Sequence, residues 1–327
     1  MGVTILDTIK IHILPEYVEI CDGKPFFDLF RADCQKFDGR AGKRLVKGLL
    51  PPAVEKIEYY EEQGELPAIF EMKLSSKILG RRYPEGISLK TIHLLPQIIR
   101  NTTGIDFQLE GLLNATVHIV HVVKNCLIDE PEVLMDVLNS IHCINPKFKV
   151  ESLGRTSLLY LAKAASRREK LNIYYKYPEI RKDRQIYDVL DRAGFDWARR
   201  NIRAELRLSS HKDIRKRLGS NVLKDILLYD GNPVSEVFNE IFKGVDLGKS
   251  HFMPSNLNEL GLEALIKLHH GDLGSIRRAV STITDKSNLS KRMRKIIEMQ
   301  GIMESQMLRE AGFSSYFNEF EIIVNKD

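Results

Sequence analysis

Cysteine is scarce in this 327-residue chain, with four residues at Cys21, Cys34, Cys126 and Cys143 and no close pair among them. That scatter excludes a disulfide scaffold and a Cys-x-x-Cys metal or redox site, and reads as reduced thiols in a cytoplasm. Long apolar runs are lacking too. None approaches the roughly 18 residues that suggest a membrane-spanning helix. Asp7, Lys10, Glu16 and Glu19 fall where a secretion signal needs an unbroken apolar stretch, so export is not expected. Leu6 stands where N-myristoylation after Met1-Gly2 needs Ser or Thr. There is no internal repeat, no low-complexity tract and no glycine-rich loop ending in Lys-Ser/Thr, so nothing here cradles a nucleoside triphosphate.

What is present is an ordinary folding composition. Hydrophobic residues make up 43% and charged residues 28%, which excludes wholesale disorder, and the length suits about two domains. The net charge is only +5, but it is unevenly spread. From Glu151 to Ser220 there are 18 Lys and Arg against 9 Asp and Glu, a local excess of +9 that leaves −4 for the rest. Such a stretch is either a solvated surface or a stripe that attracts a polyanion.

The opening alternates Ile9, Ile11 and Ile13 against Lys10 and His12, which reads as a half-buried strand. The same period predicts strands at 67–74 and 117–123, and shorter ones at 156–161 and 171–175. It also predicts one at 202–208, with Ile202, Ala204, Leu206 and Leu208 inward. A helix is expected from Asp129 as cap, through Pro131 and the stripe Leu134, Val137, Leu138 and Ile141. Another is expected at about 185–199. Beyond Gly219 helical stripes dominate, at 234–242, 257–269 and 291–307, after a turn at Asp230-Gly231-Asn232-Pro233. The fold expected is α+β: a mostly antiparallel sheet with flanking helices over 1–225, then a helical C-terminal part over 226–327.

The polar faces of these strands display reactive groups. They offer Glu71 and Lys73, His121, Asn172 and Tyr174 continued by Lys176, and Arg203, Glu205 and Arg207. Each such charge must stay solvated or find a partner. The residue types suit phosphodiester cleavage. Glu and His hold a hard divalent ion that polarises a phosphate oxygen. A tyrosine hydroxyl attacks phosphorus, and lysine or arginine lowers its pKa or stabilises the transition state. Tyr174, Tyr175 and Tyr177 all qualify from the residues alone. An Arg-x-Glu-x-Arg strand equally makes ion pairs with its neighbours, and His121 among valines equally serves as a core histidine.

The segment Leu171-Asn172-Ile173-Tyr174-Tyr175-Lys176-Tyr177-Pro178-Glu179-Ile180 resembles the nicking-tyrosine motif Tyr-x-Lys-x-x-Glu of filamentous-phage replication initiators, the gene II/gene X or phage CRI family. Rolling-circle plasmid initiators have a similar segment. The lead-in is similar as well, at Arg155-Thr156-Ser157-Leu158-Leu159-Tyr160 and Ser166-Arg167-Arg168. So are Arg203-Ala204-Glu205-Leu206-Arg207 with Lys212 to Leu218-Gly219 downstream, Glu71 to Gly80 upstream, and the opening Leu6-Asp7-Thr8-Ile9-Lys10. The resemblance covers about residues 5–220.

It implies a rolling-circle initiator on the platform of the HUH endonucleases. Such a protein nicks and rejoins one strand at the origin through a covalent phosphotyrosine, with Tyr174 as nucleophile, Lys176 beside it and Tyr177 as second choice. It implies Mg²⁺ or Mn²⁺ held by Glu71, His121 and Glu205. The family shows Arg-x-Asp, or the wider group His-x-His, where this chain has Ile119-Val120-His121. His118 would replace His121 if the register slipped by one. DNA contacts fall to Lys73, Lys77, Arg155, Arg167, Arg168, Arg203 and Arg207. Partners implied are origin DNA, a host helicase and a single-strand binding protein, in a bacterial cytoplasm. The alternatives are a non-catalytic DNA-binding regulator on the same scaffold, or a transposase or relaxase with similar tyrosine chemistry. The C-terminal part adds a basic cluster, Arg277-Arg278 and Lys291-Arg292-Arg294-Lys295, either a solvated helix face or a contact for duplex DNA or host proteins.

Overall fold

The computed structural model describes residues 4–21, 29–141, 144–164, 168–243, 254, 256–310 and 314–326. The N-terminal half is mostly strands: β1 (Leu6–Ile13), β2 (Val18–Ile20), β3 (Phe30–Phe37), β4 (Arg40–Leu45), β5 (Val54–Tyr60), β6 (Ile69–Ser75), β7 (Ile105–Phe107) and β8 (Thr116–Leu127). Helices α1 (Leu95–Thr103) and α2 (Leu109–Leu113) flank β7, and α3 (Pro131–Ser140) follows β8. Then come β9 (Phe148–Ser152), β10 (Ser157–Ala162) and β11 (Lys170–Tyr175), short helices α4 (Lys176–Lys182), α5 (Arg184–Tyr187) and α6 (Arg192–Arg200), and β12 (Asn201–Leu208). The rest is helical: α7 (His211–Leu218), α8 (Leu223–Leu228), α9 (Pro233–Phe242), α10 (Leu257–Leu268), α11 (Leu273–Ile283), α12 (Lys286–Glu310) and α13 (Ser314–Asn325).

Ten strands form one antiparallel sheet in the order β3-β4-β5-β6-β1-β8-β12-β11-β10-β9, and β2 pairs with β7 in a separate ribbon. The expected α+β architecture is therefore present. Alternation decides the faces. Ile9, Ile11 and Ile13, Val117 and Val120, and Ile202, Ala204, Leu206 and Leu208 are all fully or almost fully buried on one face. Leu134, Val137 and Leu138 of α3, Val234 and Phe238 of α9, and Phe317, Phe320 and Val324 of α13 belong to that same core. The opposite face carries the polar residues. Part of it is roofed by α4, α5 and α6, which gather Ile180, Ile186, Leu190 and Ala198 around Tyr83 in a small separate cluster.

Two bulges adjust the polar face. Between Leu6↔Val122 and Thr8↔His121 the register of β1 against β8 shifts, so Asp7 is an extra residue on β1. Between Lys10↔Ile119 and Ile11↔Val117 it shifts again, and the extra residue is His118. A bulge re-aims side chains that strict alternation would place elsewhere.

Two local expectations need correction. The helix expected at about 185–199 is two, α5 and α6, interrupted at 188–191. Asp191 caps the second by accepting a hydrogen bond from the Gly194 N–H at 2.9 Å. Asp129 does not cap α3; Glu130 is the N-cap residue and Asp129 accepts from Arg200 Nη2 instead, at 2.7 Å. Helices α9 and α13 complete the core of the sheet, while in the C-terminal part α10, α11 and α12 have an apolar cluster of their own. No helix among the described residues is long and apolar enough to cross a membrane.

Candidate active site

The centre of the sheet brings three ligand-bearing residues together from strands far apart in sequence. Asp7 comes from the β1 bulge, His121 from β8 and Glu205 from β12, and their donor atoms all lie within 4.8 Å of one another. His121 pairs across to Arg207 and Thr8, while Glu205 pairs across to Val123 and Asn172. Asp7 Oδ1 accepts hydrogen bonds from Arg203 Nη1 at 2.7 Å and Ser76 Oγ at 2.8 Å. Glu205 Oε1 meets His121 Nδ1 at 3.0 Å and accepts from Arg207 Nε at 2.6 Å.

Tyr174, one residue before the end of β11, lies on the same face opposite Arg203. Its hydroxyl donates to Glu205 Oε2 at 2.9 Å, and Lys176 Nζ donates to that hydroxyl at 3.3 Å. The ring is only 7% exposed. Lys176 also holds Glu179, completing the Tyr-x-Lys-x-x-Glu spacing in space. Asp7, His121, Tyr174, Glu179 and Glu205 line one pocket of about 370 Å³, together with Thr8, Ser75, Lys77, Asn172 and Arg207.

The electrostatics follow from burial among charges. Burial works against ionisation of Asp7, but Arg203 and Lys176 hold its pKa below the ordinary carboxylate value. Glu205 is held down in the same way, against burial, by His121 and by Arg207. Burial, and then the nearby Arg203 cation, lowers Lys176 to about 8. Burial and the Glu205 carboxylate push Tyr174 well above the usual phenol value.

The other residues singled out from the sequence are less uniformly placed. Glu71 does not join His121 and Glu205. It lies opposite His12, five residues along β1 from Asp7, or about 16 Å at strand rise. There it pairs with Lys10 at 2.7 Å, His12 at 2.8 Å and Lys56 at 2.5 Å. Asp7, from the family-like opening Leu6-Asp7-Thr8-Ile9-Lys10, takes the place expected for Glu71. His118 reaches the polar face through its bulge, but its ring lies 3.6 Å from that of His12 and its Nδ1 is 3.0 Å from His211 Nε2. Tyr175 points to the other face and donates to the Arg199 carbonyl at 3.0 Å. Tyr177 lies on α4, with Arg181 and Arg199 over its ring, away from the three ligands.

Among the expected DNA contacts, Lys77 and Arg207 line the pocket, and Lys73 lines the adjoining cavity while pairing with Glu55 at 2.5 Å. Arg155 is exposed and meets Asp136 at 3.2 Å, and Arg168 is exposed. Arg167 lies outside the described residues. Arg203 is a correction: it is 1% exposed, bound to Asp7 and Asn125, and so organises the interior instead of meeting a strand.

Two carboxylates and one imidazole make a hard donor set of the kind that suits a divalent ion such as Mg²⁺ or Mn²⁺. The residues present therefore fit a divalent ion. No curated protein matches the chain. A family model does: that of the replication-associated protein G2P N-terminal region, Phage_CRI, matches residues 105–224. The matched stretch holds His121, Tyr174, Lys176 and Glu205 but not Asp7. Residues 105–224, where β8, β11 and β12 build the centre of the sheet, are thus similar to the Phage_CRI family, the N-terminal region of the replication-associated protein G2P.

Proposed function

We propose that this protein nicks and rejoins one DNA strand at a replication origin, with Tyr174 as the nucleophile. The observation that carries the reading is the Tyr174 hydroxyl at 2.9 Å from Glu205, in a pocket shared with Asp7 and His121 and with Lys176 Nζ behind it at 3.3 Å. The family match supports a replication-associated role and hence DNA as partner. Glu205 orients the phenol by accepting its proton in a hydrogen bond. Lys176 Nζ, in its neutral form, takes that proton as Tyr174 Oη bonds to phosphorus. The P–O3′ bond breaks, the 3′ oxygen gains a proton, and a 5′-phosphotyrosine link remains. The link conserves the phosphodiester energy, so the 3′-hydroxyl can attack it and reseal the strand. Bound by Asp7, His121 and Glu205, Mg²⁺ or Mn²⁺ supplies Lewis-acid polarisation of the phosphate. Lys77 and Arg207 at the pocket edge balance phosphate charge. Strand separation then falls to a partner helicase, since the chain has no nucleotide-binding loop.

The test is incubation with single-stranded DNA carrying the replicon's own origin and Mn²⁺, followed by denaturing electrophoresis. A covalent protein–DNA adduct is expected for the wild type and for Tyr177→Phe, and none for Tyr174→Phe. An adduct undiminished in Tyr174→Phe would remove the nucleophile from this pocket. Burial of the Tyr174 ring favours a second reading, a non-catalytic DNA-binding regulator on the same platform. Absence of any adduct with intact DNA binding would select it.

A further inference from the structure

Helices α10, α11 and α12 stand apart from the core of the sheet. Ile266, Ile276, Val280, Met293, Ile296 and Met299 pack among themselves in a cluster of their own. Helix α11 ends at Ile283 and α12 begins at Lys286, so Thr284 and Asp285 make a tight turn between them. Leu257, Leu260 and Leu268 of α10 and Ile283 at the end of α11 are exposed, and charge dominates the outer surface of α11 and α12. From Arg277 to Lys295 there are seven Lys and Arg and a single acid, Asp285. Lys291, Arg294 and Lys295 follow an i, i+3, i+4 spacing on an exposed face of α12, turned away from Met293 and Ile296.

Among the described residues, most of these cations have no counter-charge. Lys295 meets Glu259 at 3.0 Å and Arg278 donates to Ser275 Oγ at 2.8 Å. Arg277, Lys291, Arg292 and Arg294 make no ion pair among the described residues. A groove of about 460 Å³ between α10 and α12 is lined by Asn258, Leu262, Asn288, Lys291, Arg292 and Lys295. Residues 257–310 contain no Phe, Tyr or Trp. Single-strand binding surfaces rely on aromatic side chains for base stacking, and this unit has none to offer. An anionic membrane would require the apolar side of α12, which is already buried. A helix with polar residues in its first turns and a basic outer face fits the major groove of a duplex and its flanking phosphates. Ser287, Asn288 and Ser290 occupy those first turns.

We infer that the α11–α12 surface is a second DNA site, one that grips double-stranded DNA through Arg277, Lys291, Arg292 and Arg294. DNA as the partner rests on the proposed function, but the grip requires none of the tyrosine chemistry. The chain then has two separate contacts, a pocket for the strand to be cut and a basic helical surface for the flanking duplex.

The experiment compares the full-length protein with its triple variant Lys291→Ala, Arg292→Ala and Arg294→Ala, using fluorescence anisotropy on a duplex and on one of its strands across a salt series. Loss of three phosphate contacts should lower the slope of log affinity against log salt by about 2–3 on duplex DNA. Single-strand binding and adduct formation should stay at the wild-type level. Arg277→Ala with Arg278→Ala gives an independent weakening on the other helix, and thermal unfolding checks that both variants fold. Unchanged duplex affinity and salt slope in both folded variants overturn the inference and leave the surface to an acidic protein. A duplex defect in a protein that never forms an adduct sinks the nicking proposal alone.

Discussion

Burial makes Lys176 a different base from a surface lysine. Its ammonium is desolvated among Arg203, Asp7 and Glu179, and its pKa falls to about 8, within reach of physiological pH. Below that value Nζ is charged and can only donate to Tyr174; above it, Nζ accepts the phenolic proton. The adduct-forming rate is therefore expected to rise as pH increases through about 8 and then level off. Lys176→Arg keeps the charge and removes the acceptor, so the rise should vanish and the rate should drop about 10²–10⁴-fold. Rates of adduct formation between pH 6 and 9.5 check this, and a rising limb that survives in Lys176→Arg would rule Lys176 out as the proton acceptor. The residue types of this centre were readable from the chain: Tyr174, Lys176, His121 and Glu205 all fall where alternation and spacing put them. Arg203 was readable as to face but not as to depth. A guanidinium on a polar strand face looks like a solvated cation until α4 and α6 are seen to roof it beneath Tyr83 and Trp197.

The decisive local feature is the bulge in β1. It turns Asp7 onto the polar face beside Thr8 and within reach of His121 and Glu205. Asp7→Asn removes one anionic ligand while keeping the shape and the Ser76 contact. The Mn²⁺ concentration for half-maximal cleavage should then rise about tenfold or more, since ligand charge count sets the affinity of such sites. Glu71→Gln should leave it unchanged, because Glu71 lies with Lys10, His12 and Lys56. The opposite pattern in a metal titration would restore Glu71 and remove Asp7. The bulge leaves only a slight mark on the sequence: the buried Leu6 and Ile9 stand three apart, one residue out of step with strict alternation. Strands β3, β4 and β5 went unread for a related reason. They lie toward one edge of the sheet, and segments such as Arg40–Leu45 carry charges where an inner strand shows a clean apolar period.

Across the molecule, chain order and core membership part company. After the excursion through α10–α12 the chain returns, and α13 inserts Phe317, Phe320 and Val324 beside Phe238 and Phe242 of α9. Phe320 is fully buried there. Phe320→Ala should destabilise the sheet domain by about 3–5 kcal/mol, the usual result of emptying a large core aromatic. Urea unfolding of the full-length protein measures it, and a loss well under 1 kcal/mol would mean that α13 is only laid against the surface. Charge is organised on the same plan. The positive excess of residues 151–220 is partly interior, in Arg203 and Arg217, and partly displayed, in Arg155 and Arg168. A local charge total alone cannot separate these two uses.

The strand faces, the helical character of the C-terminal part and the Tyr-x-Lys-x-x-Glu element followed from the amino-acid order, because alternation and helical spacing are local properties read over a few residues. Tertiary structure alone decided that Asp7 and not Glu71 faces His121 and Glu205, that Arg203 is internal, and that the last helix completes the first core. These depend on which strands lie side by side, in what register and with which extra residue. Such pairings are set by contacts between segments up to some two hundred positions apart, as between Asp7 and Arg203, and local periodicity carries no record of them.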